Sequence, residues 1–158
     1  SMAVETPCLS ICTTCRDGRE ALHETRGGTR LARTVFERVA AEKTLGLRGV
    51  RCMSQCKRPC VVSLSGRESF TYVFGDLDPE RLDHVDALLE FTSLYSNASE
   101  GFLTRQERPE VLRPSILGRF PPIGSNSPLV NCLTSDPQNE CDSEYSAAQQ
   151  VSIKALVS

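Results

Sequence analysis

Apolar positions along the chain come in short runs whose spacing changes from segment to segment. Pro7 to Ile11 reads as a first strand, ending where Cys12-Thr-Thr-Cys15 turns out of it. The Asp-Gly pair in Arg16-Asp17-Gly18-Arg19 favours a turn, and the rest up to Gly27-Gly28 reads as a loop with a helical piece around Glu20 to Thr25. From Arg30 to Lys43 the period becomes helical. Leu31, Val35 and Val39 recur every four residues, Ala32, Phe36 and Ala40 widen the stripe, Thr29 is the expected N-cap and Gly46 the stop.

Leu47 to Arg51 predicts a second strand that delivers Cys52 to a loop, and Val61 to Leu64 a third. Ser65-Gly66-Arg67 is the expected hairpin turn into a fourth strand over Ser69 to Phe74, where polar and apolar residues alternate. Asp78-Pro79 then sets a capping carboxylate before a helix from Pro79 to about Tyr95, with Leu82, Val85, Leu88, Leu89, Thr92 and Tyr95 on one face. His84 falls between those positions and is expected at the surface. Residues 97–122, punctuated by Pro109, Pro114 and Pro121-Pro122, are expected to strap across the domain as short helical turns. Beyond Gly124 the composition turns to Ser, Asn, Pro and Gln, so 1–122 reads as the folded domain and 123–158 as a flexible C-terminal tail.

This order predicts an α/β domain of thioredoxin-like topology: a four-stranded mixed sheet with helices packed on it, the first two strands parallel and a hairpin at one side. Both cysteine groups, Cys12/Cys15 and Cys52/Cys56/Cys60, then lie at the ends of strands one and two.

Composition narrows the chemistry. A chain of 158 residues makes one domain, no apolar run can span a bilayer, and the start lacks a secretory pattern, so the expected compartment is the cytoplasm. Eight cysteines in a reducing compartment are metal ligands or redox thiols more often than staples. Net charge is −2 with no basic tail or helix face, which argues against nucleic acid. Arg16, Arg51, Lys57 and Arg58 nevertheless flank the clustered cysteines, where positive charge would offset thiolates. Gly27-Gly28 at a helix start is a candidate anion site, though a cap and a turn explain it equally well.

Two thiols three apart bite one metal through a tight turn, and CxxxC does so with a wider loop. Four such sulfurs satisfy tetrahedral zinc or the irons of a 2Fe-2S cluster. Structural zinc more often uses two CxxC knuckles, so the CxxxC half leans toward iron. Thiol–disulfide exchange at Cys12 and Cys15 is the competing chemistry, with Pro59 before a later strand, but the Asp17-Gly18 turn removes the helix that would activate the first thiol. His23 is a further candidate ligand. No catalytic triad, phosphate loop or carboxylate pair is present, so the chain reads as a carrier more than an enzyme.

Cys52-Met-Ser-Gln-Cys56 with Pro59 and Val61-Val62 resembles the second ligand pair of the thioredoxin-like 2Fe-2S ferredoxins, including the small cluster-bearing subunit of respiratory complex I. With Cys12-Thr-Thr-Cys15-Arg16, Cys60, the run Phe70 to Pro79 and Arg108-Pro109-Glu110, residues 10–122 are similar to a bacterial family of uncharacterised predicted metal-binding proteins. The resemblance implies Cys12, Cys15, Cys52 and Cys56 as cluster ligands, a redox partner protein and a homodimer. It also carries an association with cobalt and cobalamin metabolism, and so a metal-handling alternative. The first pair in the ferredoxins is usually spaced more widely than CxxC, and Cys8 and Cys60 offer extra sulfurs, Cys60 the stronger candidate. Cys132 and Cys141 read as incidental.

Overall fold

The structure, a computed structural model, describes residues 6–40 and 45–134. Strand β1 (Cys8–Cys12) lies inside the sheet, with β2 (Gly46–Val50) parallel on one side and β3 (Val62–Ser65) antiparallel on the other. Strand β4 (Thr71–Phe74) pairs antiparallel with β3, and β5 (Ile116–Phe120) antiparallel with β4, giving the order β2-β1-β3-β4-β5. Helix α1 (Glu20–His23) is a single turn, α2 (Gly27–Val39) joins β1 to β2, and α3 (Leu82–Ser96) follows β4. The parallel pair with its helical crossover, then the hairpin and α3, is the thioredoxin-like arrangement expected from the pattern.

The pairing register decides what the sheet buries. Leu9 faces Leu64, Ile11 faces Val62, Tyr72 faces Leu64 and Phe74 faces Val62, so these six apolar side chains share one face. They form one core with Leu31, Val35 and Val39 of α2 and Val85, Leu88, Phe91 and Tyr95 of α3. Phe91 meets both Tyr72 and Phe74 edge to face at 4.9 Å between centroids, a favoured geometry for aromatic pairs. On the other face, Ser10 accepts a hydrogen bond of 2.6 Å from the Arg48 Nε.

Several expectations shift, each for a physical reason. Among the described residues the sheet has five strands instead of four, because the free edge of β4 takes Ile116–Phe120 as a partner; the proline-broken pattern concealed so short a strand. Three 3₁₀ turns, Ser99–Gly101, Arg105–Glu107 and Glu110–Ser115, do strap across before it. Helix α2 begins at Gly27, with Thr29 bonded to the Thr13 carbonyl at 3.0 Å and not capping, and Phe36 is 60% exposed. Helix α3 begins at Leu82, since Asp78 instead accepts from the Glu80 N–H (2.9 Å) in a preceding turn. His84 is buried, its Nδ1 accepting the Asp78 N–H at 2.9 Å, and burial holds the imidazole below its usual range. Past the boundary placed at residue 122, Ser125 and Cys132 are buried. Cys141 and residues 135–158 lie outside the described residues.

Candidate metal centre

The site begins with strand pairing. Cys12 stands opposite Val50 in the parallel register, and Thr13 N–H and Oγ1 both donate to the Val50 carbonyl (2.9 and 3.3 Å). The turn after β1 and the loop after β2 therefore leave the sheet on the same edge. Val61, at the far end of that loop, closes the frame: its carbonyl accepts the Cys12 N–H at 3.0 Å, and its own N–H is directed at the Cys15 sulfur.

The turn carrying Cys12 and Cys15 is backed by α2. Gly28 donates its N–H to the Cys15 carbonyl at 3.0 Å, and a Cβ on Gly28 would overlap the Cys12 carbonyl oxygen. Only glycine allows the helix so close. Gly27 N–H goes to Glu20 Oε2 at 3.2 Å, so both glycine donors are taken and the candidate anion site is not formed. Glu20 also accepts from the N–H groups of Asp17 and Gly18, both at 3.1 Å, which ties the Asp-Gly turn to the helix start.

The sulfurs sit in unequal surroundings. Cys12 and Cys15 are 4% and 5% exposed and Cys60 is fully buried, whereas Cys52 and Cys56 are exposed. Burial alone would raise the Cys12 thiol, but donors from Thr14, the Met53 backbone and Cys15 prevail and lower it to about 7. Burial pushes Cys15 up to about 11, with further contributions from Cys12 and Cys56, and Cys60 up to about 12, with Cys15 and Asp17 adding to it. Cys12 and Cys15 thus form a close pair, Cys60 stands behind Cys15 against Gly27, and Cys56 is within electrostatic reach of Cys15.

The loop reaches the first pair through the Met53 N–H. The Cys52 sulfur stands 4.0 Å from Ser54 Oγ, and both Cys52 and Ser54 have left-handed backbones (φ 73° and 58°). Among the described residues no three His, Cys, Asp or Glu side chains are assembled as a metal-binding group. Cys8 starts β1, about 13 Å from Cys12 at the usual rise per residue. His23 faces Glu80 at 3.7 Å.

Behind the turn runs a charge network that the sequence did not reveal. Arg30 Nη2 donates to Asp17 Oδ1 and its Nη1 to Glu80 Oε1, both at 2.6 Å, while Arg19 bridges Asp17 and Asp78. The partners are 13 and 50 positions apart, so no local pattern links them. An arginine beside the apolar stripe of α2 was the available signal.

Residues 9–122 match the family model described as "Protein of unknown function (DUF1636)". The chain belongs to that family. Among solved structures it is similar to a thioredoxin-like [2Fe-2S] ferredoxin from Aquifex aeolicus, at 18% identity and a TM-score of 0.46, covering 73% of this chain and 93% of that one. A second structure, of the wild-type thioredoxin-like [2Fe-2S] ferredoxin from the same organism, gives 16% identity and a TM-score of 0.43, covering 72% and 98%. No curated protein matches the chain significantly.

The donor chemistry of this DUF1636 chain fits a thiolate-held iron or zinc centre. A thiol at about 7 supplies thiolate at neutral pH, and two backbone N–H groups point at sulfur, as thiolate sites favour. Cys52 and Cys56, on the neighbouring loop, are exposed and carry the same soft donor type, without being assembled with the first pair among the described residues.

Proposed function

We propose that the chain is a cytoplasmic one-electron carrier whose 2Fe-2S cluster is held by Cys12, Cys15, Cys52 and Cys56, with Cys60 as a buried reserve thiol. The observation that carries this reading is the common edge of β1 and β2, where Cys12 lies opposite Val50 and the Met53 N–H already reaches the Cys12 sulfur. When bound, such a cluster supplies a single-electron couple. The protein's own part is threefold. Val61 and Met53 N–H groups stabilise negative charge on sulfur, Gly28 fixes the Cys12–Cys15 turn, and the exposed loop leaves the centre open to a redox partner protein. A homodimer is part of this reading.

Anaerobic purification with iron, zinc and acid-labile sulfide analysis, read beside an absorbance spectrum, tests it. Two irons and two sulfides per chain, with charge-transfer bands that Cys56→Ser removes or shifts, are expected. One zinc and no sulfide would make the chain a metal-handling protein, and an unchanged Cys56→Ser spectrum would remove that residue from the ligand set.

The unequal thiols favour a second reading. A first thiol lowered to about 7 beside a second raised to about 11 is the pattern of a dithiol exchange pair. In that case the metal-free protein reduces insulin disulfides, its two thiols becoming one disulfide as the substrate takes up two electrons and two protons, and Cys12→Ser abolishes the reaction.

A further inference from the structure

Five of the described cations stand in carboxylate pairs. Arg38 pairs with Asp86, Arg58 with Asp76 and Arg81 with Asp83, while Arg19 and Arg30 are shared among Asp17, Asp78 and Glu80. Arg16, Arg51 and Lys57, like Arg33 and Arg105, pair with no described carboxylate, and position sets them apart: all three are exposed and directly neighbour Cys15, Cys52 and Cys56.

The fold gathers them. Because Cys12 lies opposite Val50, Arg51 leaves β2 beside the turn that carries Arg16, and Cys56 brings Lys57 to the same edge through its reach to Cys15. Arg26, donating Nη1 to the Thr14 carbonyl at 2.9 Å, extends the rim on the α2 side. The carboxylates nearby are mostly engaged. Glu20 is held by three backbone N–H groups and Asp76 by Arg58, leaving Glu24 at a cleft of about 230 Å³ shared with Arg16 and Arg26.

We propose that this basic rim is the docking face for a protein partner with an acidic surface. The proposal deepens the electron-carrier reading by naming the partner's chemistry, and rests on it for what the contact accomplishes. On a chain of net charge −2, three cations gathered at one edge without a described carboxylate partner make a local field opposed to the overall charge. Such a field orients an acidic face onto the cysteine edge and weakens as salt screens it. A nucleic acid fits less well, because residues 12–19 and 51–58 contain no aromatic side chain for bases to stack on. A membrane also fits less well, since Leu22 is the one large apolar side chain strongly exposed within 12–26 and 51–58.

The test uses the full chain, purified anaerobically, titrated against three labelled probes at low and high salt: an acidic flavodoxin, polyuridylate, and phosphatidylglycerol vesicles. Flavodoxin is expected to bind with salt-sensitive affinity. R16E/R51E/K57E should weaken that binding at least about tenfold, the milder R16Q/R51Q/K57Q by an intermediate factor, and the control R33E/R105E by less than about twofold. Tighter binding of polyuridylate or vesicles, no flavodoxin binding at low salt, equal loss in the control, or no loss in either rim variant would overturn the proposal. Iron and sulfide analysis of the same samples separates the two readings. Rim-dependent binding without a cluster would sink the electron carrier alone, and a cluster-bearing protein indifferent to rim reversal would sink the docking face alone.

Discussion

Cys12 and Cys15 sit 4% and 5% exposed in a turn held by Val50, Val61, Gly28 and Glu20, whereas Cys52 and Cys56 are exposed on a loop that passes through two left-handed residues. The first half of the candidate centre is part of the core and is shaped whether or not anything binds. The second half is anchored at its far end, where the Arg58 N–H donates to the Gln55 carbonyl, the Asp76 N–H to the Arg58 carbonyl and the Arg58 guanidinium to Asp76, and it meets the first half through the Met53 N–H on the Cys12 sulfur. If that loop holds the ligand as proposed, a centre divided this way would have a rigid half that sets position and an adaptable half that admits it. Changes in the two halves should therefore separate stability from binding.

The largest effect should come from the rigid half. Gly28→Ala adds a methyl where the Cys12 carbonyl oxygen already stands, and the gain in helix propensity, at most about 1 kcal/mol, is far smaller than the overlap. A loss of about 3–5 kcal/mol in chemical denaturation is expected, with metal content falling as the turn is displaced. By contrast, Cys56→Ser at an exposed position should change stability by less than about 0.5 kcal/mol while removing a proposed ligand. If Cys56→Ser were as destabilising as Gly28→Ala in the metal-free protein, the division into rigid and adaptable halves would fail.

A middle-sized effect tests the charge network behind the rigid half. Burial alone would raise the Asp17 carboxyl, but hydrogen bonds from Arg30 and the Arg19 N–H, with the Arg30 charge, hold it well below the usual carboxylate range. Its side chain is 7% exposed and that of Arg30 9%, so solvent screens the pair little. Asp17→Asn should cost about 2–4 kcal/mol at pH 7, below the full cost of an isolated buried pair because Arg30 keeps Glu80. The sign with pH follows from the depressed value. The contribution is complete above the unfolded-state pKa of about 3.9 and is lost as pH falls through the lower folded-state value. Urea midpoints measured from pH 7 down to 2 should therefore show a steep acid limb in the native protein and a shallower one in Asp17→Asn.

What the sequence made legible follows the same division. The strands bearing Leu9, Ile11, Val62, Leu64, Tyr72 and Phe74 announce themselves because short apolar runs and alternation are local properties, and with the α2 crossover they place both cysteine groups on one edge. Strand β5 did not, since Ile116–Phe120 has little pattern of its own and forms by pairing with the edge of β4. His84 looked like a surface residue because its environment is set by the turn at Asp78, not by its own helix. Within the site, spacing singled out the cysteines as candidates but gave no sign that Arg30 would reach Asp17 and Glu80, or that Gly28 would serve close approach to the Cys12 carbonyl instead of an anion site or a cap and turn. Long-range register, which no short window contains, decides both.

The smallest effect should lie at the seam between the halves. Thr14 Oγ1 stands 3.6 Å from the Cys12 sulfur and, with the Met53 N–H, offsets the burial that would otherwise raise that thiol. Thr14→Val keeps the side-chain volume and removes the hydroxyl, so the thiolate loses one donor while the turn backbone, held by Val50 and Gly28, stays in place. The carbon-13 shift of Cys12 Cβ, followed against pH in the metal-free protein, should move its midpoint upward from about 7 by about half a unit, with Cys15 remaining near 11. If the seam is instead controlled from the loop, Thr14→Val will leave the midpoint alone. Met53→Pro, which deletes the N–H from the adaptable side, will then carry the whole shift.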